Sequence, residues 1–203
     1  GLIYGQPDLG TALIIAASGL ILLVLAGLPW RYFVWSGLSL VAAAPVLWFL
    51  IRDYQRQRIL TLLDPERDPL GAGWNIIQSK IAIGSGGFSG KGLFNGTQAH
   101  LDFLPESQTD FIIAVLAEEL GFIGVASLLL GYGLLILRGL LISLNAQDTF
   151  GRLLCGSITF TFSVYVFVNI GMVSGILPVV GLPLPLVSYG GSSLLTLFAG
   201  FGL

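Results

Sequence analysis

The sequence contains few charged residues. Only 10% of its 203 residues are Asp, Glu, Lys or Arg, whereas 55% are hydrophobic. A soluble domain usually carries about 25% charged residues, so this composition argues against an ordinary soluble domain and indicates a protein surrounded by lipid. The formal net charge of −2 is too small to indicate nucleic acid or an acidic partner.

Cysteine and histidine are each present only once. The single cysteine, Cys155, excludes a disulfide framework and a metal site built on cysteines. With His100 as the only histidine, no Ser–His–Asp triad is convincing. The sequence also has no initiating Met and no signal-peptide pattern. We therefore expect an internal piece of a longer membrane protein.

Long uncharged runs predict the membrane spans. A helix needs about 20 apolar residues to cross a bilayer, and several runs reach that length. Three prolines and a glycine divide the last run, because proline interrupts a helix. The sequence therefore predicts an all-α polytopic membrane protein with about five transmembrane helices. They are placed at residues 9–30, 32–51, 111–137, 153–177 and 186–203.

Residues 52–110 differ from the rest of the chain. They hold six of the nine basic residues, seven of the eleven acidic residues and the only histidine, which predicts one long loop outside the membrane. Within it, residues 74–83 have helical apolar spacing, with Trp74, Ile77 and Ile81 on one face. This pattern fits either a helix at the membrane interface or a helix packed beneath the loop. Charge counting does not orient the loop, because the positive-inside rule weakens for loops of this length.

A glycine-rich segment, residues 84–92, invites comparison with a phosphate-binding loop. Ser85 stands where that motif requires glycine, and Gly92 follows Lys91 where Ser or Thr is required. These departures exclude nucleotide binding. Glycines still allow the backbone to approach a ligand closely, and Lys91 has the charge to meet an anion; a flexible loop without a ligand is the alternative.

Three acidic residues, Asp102, Glu106 and Asp110, precede the third predicted span. Such residues often form a solvated rim at the membrane boundary. Asp110, however, directly adjoins the apolar run 111–116, and an apolar surface raises the pKa of a neighbouring carboxyl group towards the range of a general base. Asp110 is therefore the candidate base.

Two acidic residues, Glu118 and Glu119, lie about 12–14 Å deeper along the same predicted helix. Ionisable groups at this depth are costly and indicate a functional site or a pore lining. The alternative is that one of them forms a structural hydrogen bond with a neighbouring span. We prefer this structural interpretation slightly.

The segment 177–193 is apolar, yet its prolines exclude a continuous helix. Irregular backbone at membrane depth is tolerated only where protein or a water-filled cavity satisfies it. The segment is therefore predicted to fold over a cavity, with hydroxyl groups from Ser188, Tyr189, Ser192 and Ser193.

Three segments resemble the shape, elongation, division and sporulation family of bacterial membrane proteins. They are QPDLGTA at 6–12, the run from IAIGSGG to LGFIG at 81–124, and NIGMVSGILPVVGLPLPLVSYGGSS at 169–193. NGTQ, FLPE and the last of these segments resemble the rod-shape elongation branch rather than the division branch. The resemblance implies about ten transmembrane helices in the whole protein, of which this chain is the C-terminal half, with the loop 52–110 outside the cell.

The family resemblance also implies an activity. It is that of a peptidoglycan glycosyltransferase that polymerises lipid II, as a multi-pass protein of the bacterial cytoplasmic membrane with its active site on the outer face. The implied partners are a class B penicillin-binding protein and other membrane proteins of the elongation complex. No nucleic acid is implied.

The essential acid of the family's TDF motif matches Asp110. Asp102 and Glu106 match neighbouring acidic positions and are the candidate ligands of a divalent cation, Mg or Mn. Gln108 stands where relatives often have histidine, so a proton relay through that histidine is absent here. The residues predicted to contact substrate are Lys80, Lys91, Gln98, Asp102, Glu106, Ser188 and Tyr189.

Two other functions remain as alternatives. A lipid II flippase fits the multiple spans, the intramembrane acids and the proline-broken segment. A non-catalytic scaffold would dock a penicillin-binding protein through the apolar segment 177–189. From the residues alone, enzyme and flippase are nearly equal, and the resemblance favours the enzyme.

Overall fold

The computed structural model describes residues 9–50, 53–68, 71–96 and 109–202. These residues form seven α-helices and one 3₁₀ turn, and no strand occurs among them. The all-α prediction is thus confirmed for the described part of the chain. The helices are α1 (Leu9–Leu25), α2 (Trp30–Leu50), α3 (Asp53–Leu63), α4 (Ala72–Gly86), α5 (Ile112–Asn145), α6 (Thr149–Val173) and α7 (Gly191–Phe201), with the 3₁₀ turn at Pro65–Arg67.

Two of the helices, α5 and α6, are long and apolar enough to cross a membrane. The polar connection between them fixes where α6 begins. The side chain of Asp148 accepts a hydrogen bond of 2.6 Å from the backbone N–H of Gly151, which caps the first turn of α6. A shorter apolar stretch, Ile14–Leu25, lies in α1. The prediction of five spans remains a prediction.

The helix ends differ from the predicted spans in places. Helix α5 continues past residue 137 to Asn145, and α7 begins at Gly191 rather than at residue 186. The late start of α7 follows from the backbone at Leu186, whose φ of +66° lies outside the right-handed helical region. The segment predicted as one loop, 52–110, contains α3 and α4.

Helix α4 corresponds to the helical pattern seen at residues 74–83, and one of its faces is packed against the rest of the structure. Ile76, Ser79 and Ala82 are buried, whereas Ile81 is 46% exposed. The Ser79 hydroxyl donates to the carbonyl of Val173 at 2.8 Å, which joins α4 to the end of α6. Helix α4 is therefore packed on one side, and the face assigned from spacing through Ile81 is not the buried one. A position of α4 at the membrane interface remains a prediction.

The core is built around the pair α5 and α6, with α4 packed on α5 and α1 packed on α6. The approach of α4 to α5 is very close, since a Cβ on Gly86 would lie 1.9 Å from the carbonyl oxygen of Ala117. Only glycine permits this contact. The segment 177–193, called the proline-rich segment below, also enters the core, through Val180, Leu182 and Leu184.

Much of the outer surface is apolar. Large side chains on α2 and α5 are exposed, among them Phe49 at 82% and Leu130 at 68%. An exposed apolar surface of this extent fits lipid or neighbouring membrane helices as its surroundings. It supports the membrane character inferred from composition.

Candidate active site

Asp110 lies in the turn of residues 109–111 that leads into α5. The next residue, Phe111, is completely buried at 0% exposure and anchors the turn in the core. Asp110 itself is partly buried, and its Oδ2 lies 3.5 Å from where a Cβ on Gly181 would be. The carboxylate therefore faces the proline-rich segment, and the glycine there carries no side chain to cover it.

Side chains bind the proline-rich segment to this turn. The Ser188 hydroxyl donates to the carbonyl of Thr109 and accepts from the N–H of Leu184 at 2.8 Å. Tyr132 of α5 donates to the carbonyl of Pro185 at 2.6 Å. These bonds satisfy irregular backbone at membrane depth, as such backbone requires.

The buried residue Asn169 of α6 makes the remaining connection. Its Nδ2 donates to the carbonyl of Asp110 at 3.0 Å and to the carbonyl of Leu182 at 2.6 Å. Sequence reasoning did not select Asn169. The available signal was an amide inside an otherwise apolar span, at the start of the family-like segment 169–193.

An apolar cavity of 210 Å³ lies on another side of the segment, next to α1. Pro178, Val180 and Leu182 contribute to its wall. The segment thus borders this apolar cavity and in addition supplies core residues. A cavity supplied with the hydroxyl groups of the segment remains a prediction.

Lys91 and Glu118 form an ion pair, with 2.6 Å between Nζ and Oε1. The Glu118 side chain is 0% exposed, whereas that of Lys91 is 30% exposed. The structural interpretation of Glu118 holds, although its partner belongs to the glycine-rich segment and not to a neighbouring span. Lys91, predicted to contact substrate, has its ammonium group engaged by this carboxylate.

The glycine-rich segment fills a break in α5 at Gly121, where φ is +65° and ψ is −161°. The N–H groups of Lys91 and Gly92 donate to the carbonyls of Glu118 and Glu119 at 3.0 and 2.9 Å. Two N–H groups of α5 donate in the opposite direction. The N–H of Phe122 donates to the carbonyl of Gly87 at 3.0 Å, and the N–H of Ile123 donates to the carbonyl of Phe88 at 3.2 Å.

This exchange explains why the segment needs glycine. A Cβ on Gly90 would lie 2.1 Å from the carbonyl oxygen of Glu119, and one on Gly121 would lie 2.3 Å from the Gly90 nitrogen. The two backbones are too close for any side chain at these positions. In the described residues, these glycines therefore allow the backbone of the glycine-rich segment to lie directly against α5.

The other predicted contact residues are spread over the structure. Lys80 is exposed on α4, and its Cε lies 2.6 Å from the position of a Cβ on Gly175. Tyr189 is 82% exposed, whereas Ser188 is only 4% exposed. Of these three residues, Ser188 is the one that hydrogen-bonds to the turn of Asp110, through the carbonyl of Thr109. Gln98, Asp102 and Glu106 lie outside the described residues, as does Gln108.

A metal site is not formed by the described side chains. Within residues 9–50, 53–68, 71–96 and 109–202, no three His, Cys, Asp or Glu residues are grouped so that they would hold an ion. The two residues predicted as ligands, Asp102 and Glu106, fall between these ranges. The cation remains a prediction.

All of the chain, residues 1–203, matches the family model for the cell cycle proteins FtsW, RodA and SpoVE. The chain belongs to this family. The resemblance seen in the three sequence segments is thereby confirmed. Membership also confirms that the chain is part of a polytopic membrane protein.

Curated members of the FtsW/RodA/SpoVE family are similar over the whole chain. The chain is 63% identical to the peptidoglycan glycosyltransferase MrdB of Escherichia coli K12, over 100% of this chain and 55% of that protein. It is 47% identical to the probable peptidoglycan glycosyltransferase FtsW of Trichlorobacter lovleyi, over 98% of this chain and 52% of that protein. The higher identity to MrdB supports the elongation branch. The chain spans about half the length of these relatives.

Solved structures show the same fold. One is a chain of a peptidoglycan synthase complex in which polymerization and crosslinking are coordinated, with a TM-score of 0.80 and 37% identity over 97% of this chain and 54% of that one. Another is the rod shape determining protein RodA of Thermus thermophilus, with a TM-score of 0.60 and 32% identity over 97% of this chain and 48% of that one.

A substitution at Gly181 tests the backbone beside Asp110. Gly181 has a φ of +74°, and an alanine in this conformation costs roughly 1–2 kcal/mol. We expect Gly181→Ala to lower the free energy of unfolding by that amount, measured by denaturation of the full-length protein in detergent. Gly191→Ala is the matched control, because its Cβ meets nothing within 4 Å. Equal losses in the two variants would show that the conformation at Gly181 carries no strain.

Proposed function

We propose that this chain is part of a peptidoglycan glycosyltransferase that polymerises lipid II into glycan strands during cell elongation. The observation that carries the proposal is the fixed position of Asp110, whose main chain is hydrogen-bonded by Asn169 and whose carboxylate faces Gly181. The 63% identity to a protein named peptidoglycan glycosyltransferase supports it.

In the proposed reaction, Asp110 acts as the general base. The GlcNAc 4-hydroxyl of one lipid-linked disaccharide forms a bond to C1 of MurNAc on the other. The bond from C1 to the pyrophosphate oxygen breaks, undecaprenyl pyrophosphate leaves with the electron pair, and Asp110 accepts the hydroxyl proton. An α-linked donor gives a β-linked product, so the transfer inverts C1 and one carboxylate base is sufficient. A positioned base contributes roughly 10²–10⁴-fold to the rate.

The leaving pyrophosphate requires positive charge rather than an acid. Lys80 is exposed on α4. Lys91 is a second candidate beside its bond to Glu118, since its side chain is 30% exposed. A divalent cation held by Asp102 and Glu106 would supply further charge at the pyrophosphate.

Metal removal tests the proposed cation. We expect EDTA to lower lipid II polymerisation by the full-length protein at least about tenfold, and added Mg or Mn to restore it, because a bound cation stabilises developing negative charge. Asp102→Asn combined with Glu106→Gln should raise the metal concentration required. Asp64→Asn, in the turn after α3, serves as the control and should leave that concentration unchanged. Full polymerisation activity after chelation would refute the proposal that a divalent cation is required.

The proposal includes a location and partners. The family is one of membrane proteins, and we place the loop 52–110 and Asp110 at the outer face of the bacterial cytoplasmic membrane. The likeness to a chain of a peptidoglycan synthase complex supports a class B penicillin-binding protein as partner, together with other membrane proteins of the elongation complex.

The flippase and scaffold alternatives are separated from the enzyme by one experiment. The burial of Glu118 against Lys91 favours the enzyme over the flippase, because a carboxylate paired in this way does not line an open path. Purified full-length protein is incubated with lipid II in vesicles, with and without the penicillin-binding protein. Glycan chains indicate the enzyme, translocation without chains indicates the flippase, and neither product indicates the scaffold.

A further inference from the structure

Asn169 joins the main chain of Asp110 to the proline-rich segment. It is 0% exposed within α6, and both hydrogens of its amide group are used, one on the carbonyl of Asp110 and one on that of Leu182. Both neighbours are acceptors, so the amide must present its nitrogen to them. The orientation of Asn169 is therefore fixed by the backbone that it contacts.

The oxygen of the Asn169 amide group is in an unfavourable environment. The Asn169 Oδ1 is buried without a hydrogen-bond partner among the described residues. A buried, unpaired acceptor is unfavourable by about 1–3 kcal/mol. The contribution of Asn169 thus comes from the two bonds that Nδ2 donates, and these bonds hold two carbonyls from separate parts of the chain.

A second side chain acts on the adjacent peptide. The Ser188 hydroxyl donates to the carbonyl of Thr109, while Asn169 donates to the carbonyl of Asp110. These two carbonyls belong to the peptide planes on either side of the Asp110 Cα. Fixing both planes fixes φ and ψ of Asp110, because each residue has only these two soft backbone angles. The direction of its Cα–Cβ bond follows, and the carboxylate can then take only the few staggered positions about that bond.

We propose that Asn169 and Ser188 are positioning residues for Asp110 and set, through the main chain, the direction of the Cα–Cβ bond that carries its carboxylate. The inference rests on the proposed function, in which that carboxylate is the base. A displacement of about 1 Å from a reactive geometry costs about 10²-fold in rate. Loss of either bond is therefore expected to lower kcat.

The test uses the full-length protein with its penicillin-binding protein and measures kcat and KM for lipid II. Asn169→Leu keeps a similar volume and removes both donated bonds; Ser188→Ala removes one bond. We expect kcat to fall about tenfold or more in each, towards the 10²-fold of a 1 Å displacement, with KM within about twofold of wild type. Ser143→Ala is the matched control, since the buried Ser143 hydroxyl near the end of α5 donates to the carbonyl of Arg152 at the start of α6 at 2.8 Å. It should leave kcat unchanged.

A coupling measurement separates positioning from general support of the fold. If Asn169 acts only through the Asp110 carboxylate, Asn169→Ser should not lower the residual rate of Asp110→Asn any further. This milder variant also serves if Asn169→Leu does not fold. A further loss in that background, or a kcat within threefold of wild type in the Asn169 and Ser188 variants, would overturn the inference. Failure of the wild-type protein to form glycan chains would instead refute the proposed function.

Discussion

Asp110→Asn is expected to lower the rate of lipid II polymerisation by about 10²–10⁴-fold, the contribution of a positioned general base. Asparagine has nearly the same shape as aspartate but cannot accept the hydroxyl proton. The fold should be retained, because Asn169 and Ser188 bind main-chain carbonyls of this turn and not the side chain. The measurement is glycan-chain formation by the full-length protein with its partner.

The matched control for this substitution is Asp148→Asn. Asp148 caps α6 through a bond from the N–H of Gly151, and asparagine is about as good a cap as aspartate. Polymerisation by this variant should equal that of the wild type. Asp110 would lose its assigned role if Asp110→Asn also polymerised lipid II at the normal rate.

Lys91→Met is expected to lower the free energy of unfolding by about 3–5 kcal/mol, because it removes the oppositely charged partner of the buried Glu118 carboxylate. Glu118→Leu should cost less, since the Lys91 side chain is 30% exposed and its ammonium group can turn to water. The double variant should regain most of the loss, because an apolar pair often replaces a buried ion pair at little cost. Denaturant titration of the full-length protein in detergent measures all three values.

The surface residue Arg31 supplies the control for these variants. It is exposed and stacks on the ring of Tyr32 at 5.2 Å, so Arg31→Met should change stability by no more than about 0.5 kcal/mol. If the Lys91 and Glu118 losses simply added in the double variant, the two residues would not be coupled, and the ion pair would not hold the glycine-rich segment on α5.

The sequence selects Asp110 as a site residue because its signal is local. The residue adjoins the apolar run at 111–116 and lies within a family-like motif, and both features are visible along the chain. Lys91 was harder, because a lysine in a glycine-rich segment fits a ligand contact as readily as an internal ion pair. Only the position of Glu118, 27 residues away, shows that its charge is engaged within the protein.

The buried face of α4 shows another limit of sequence patterns. Apolar spacing assigned a face through Ile81, yet the buried side chains include Ser79, whose hydroxyl bonds to the end of α6. In a membrane protein an apolar side chain is stable facing lipid, so apolar spacing does not identify the packed face. Small and hydroxylated residues at close contacts are the better indicator.

The sequence by itself determined that this is an all-helical membrane protein with an acidic residue where the chain enters α5. These properties depend on composition and run length, because a bilayer requires apolar segments of a minimum length. The tertiary structure alone decided what surrounds that residue. Asn169 and Ser188 lie 59 and 79 residues from their partners at the turn of Asp110, and no local pattern encodes such pairs. They meet because α6 and the proline-rich segment pack on the start of α5, and buried carbonyls there must find donors.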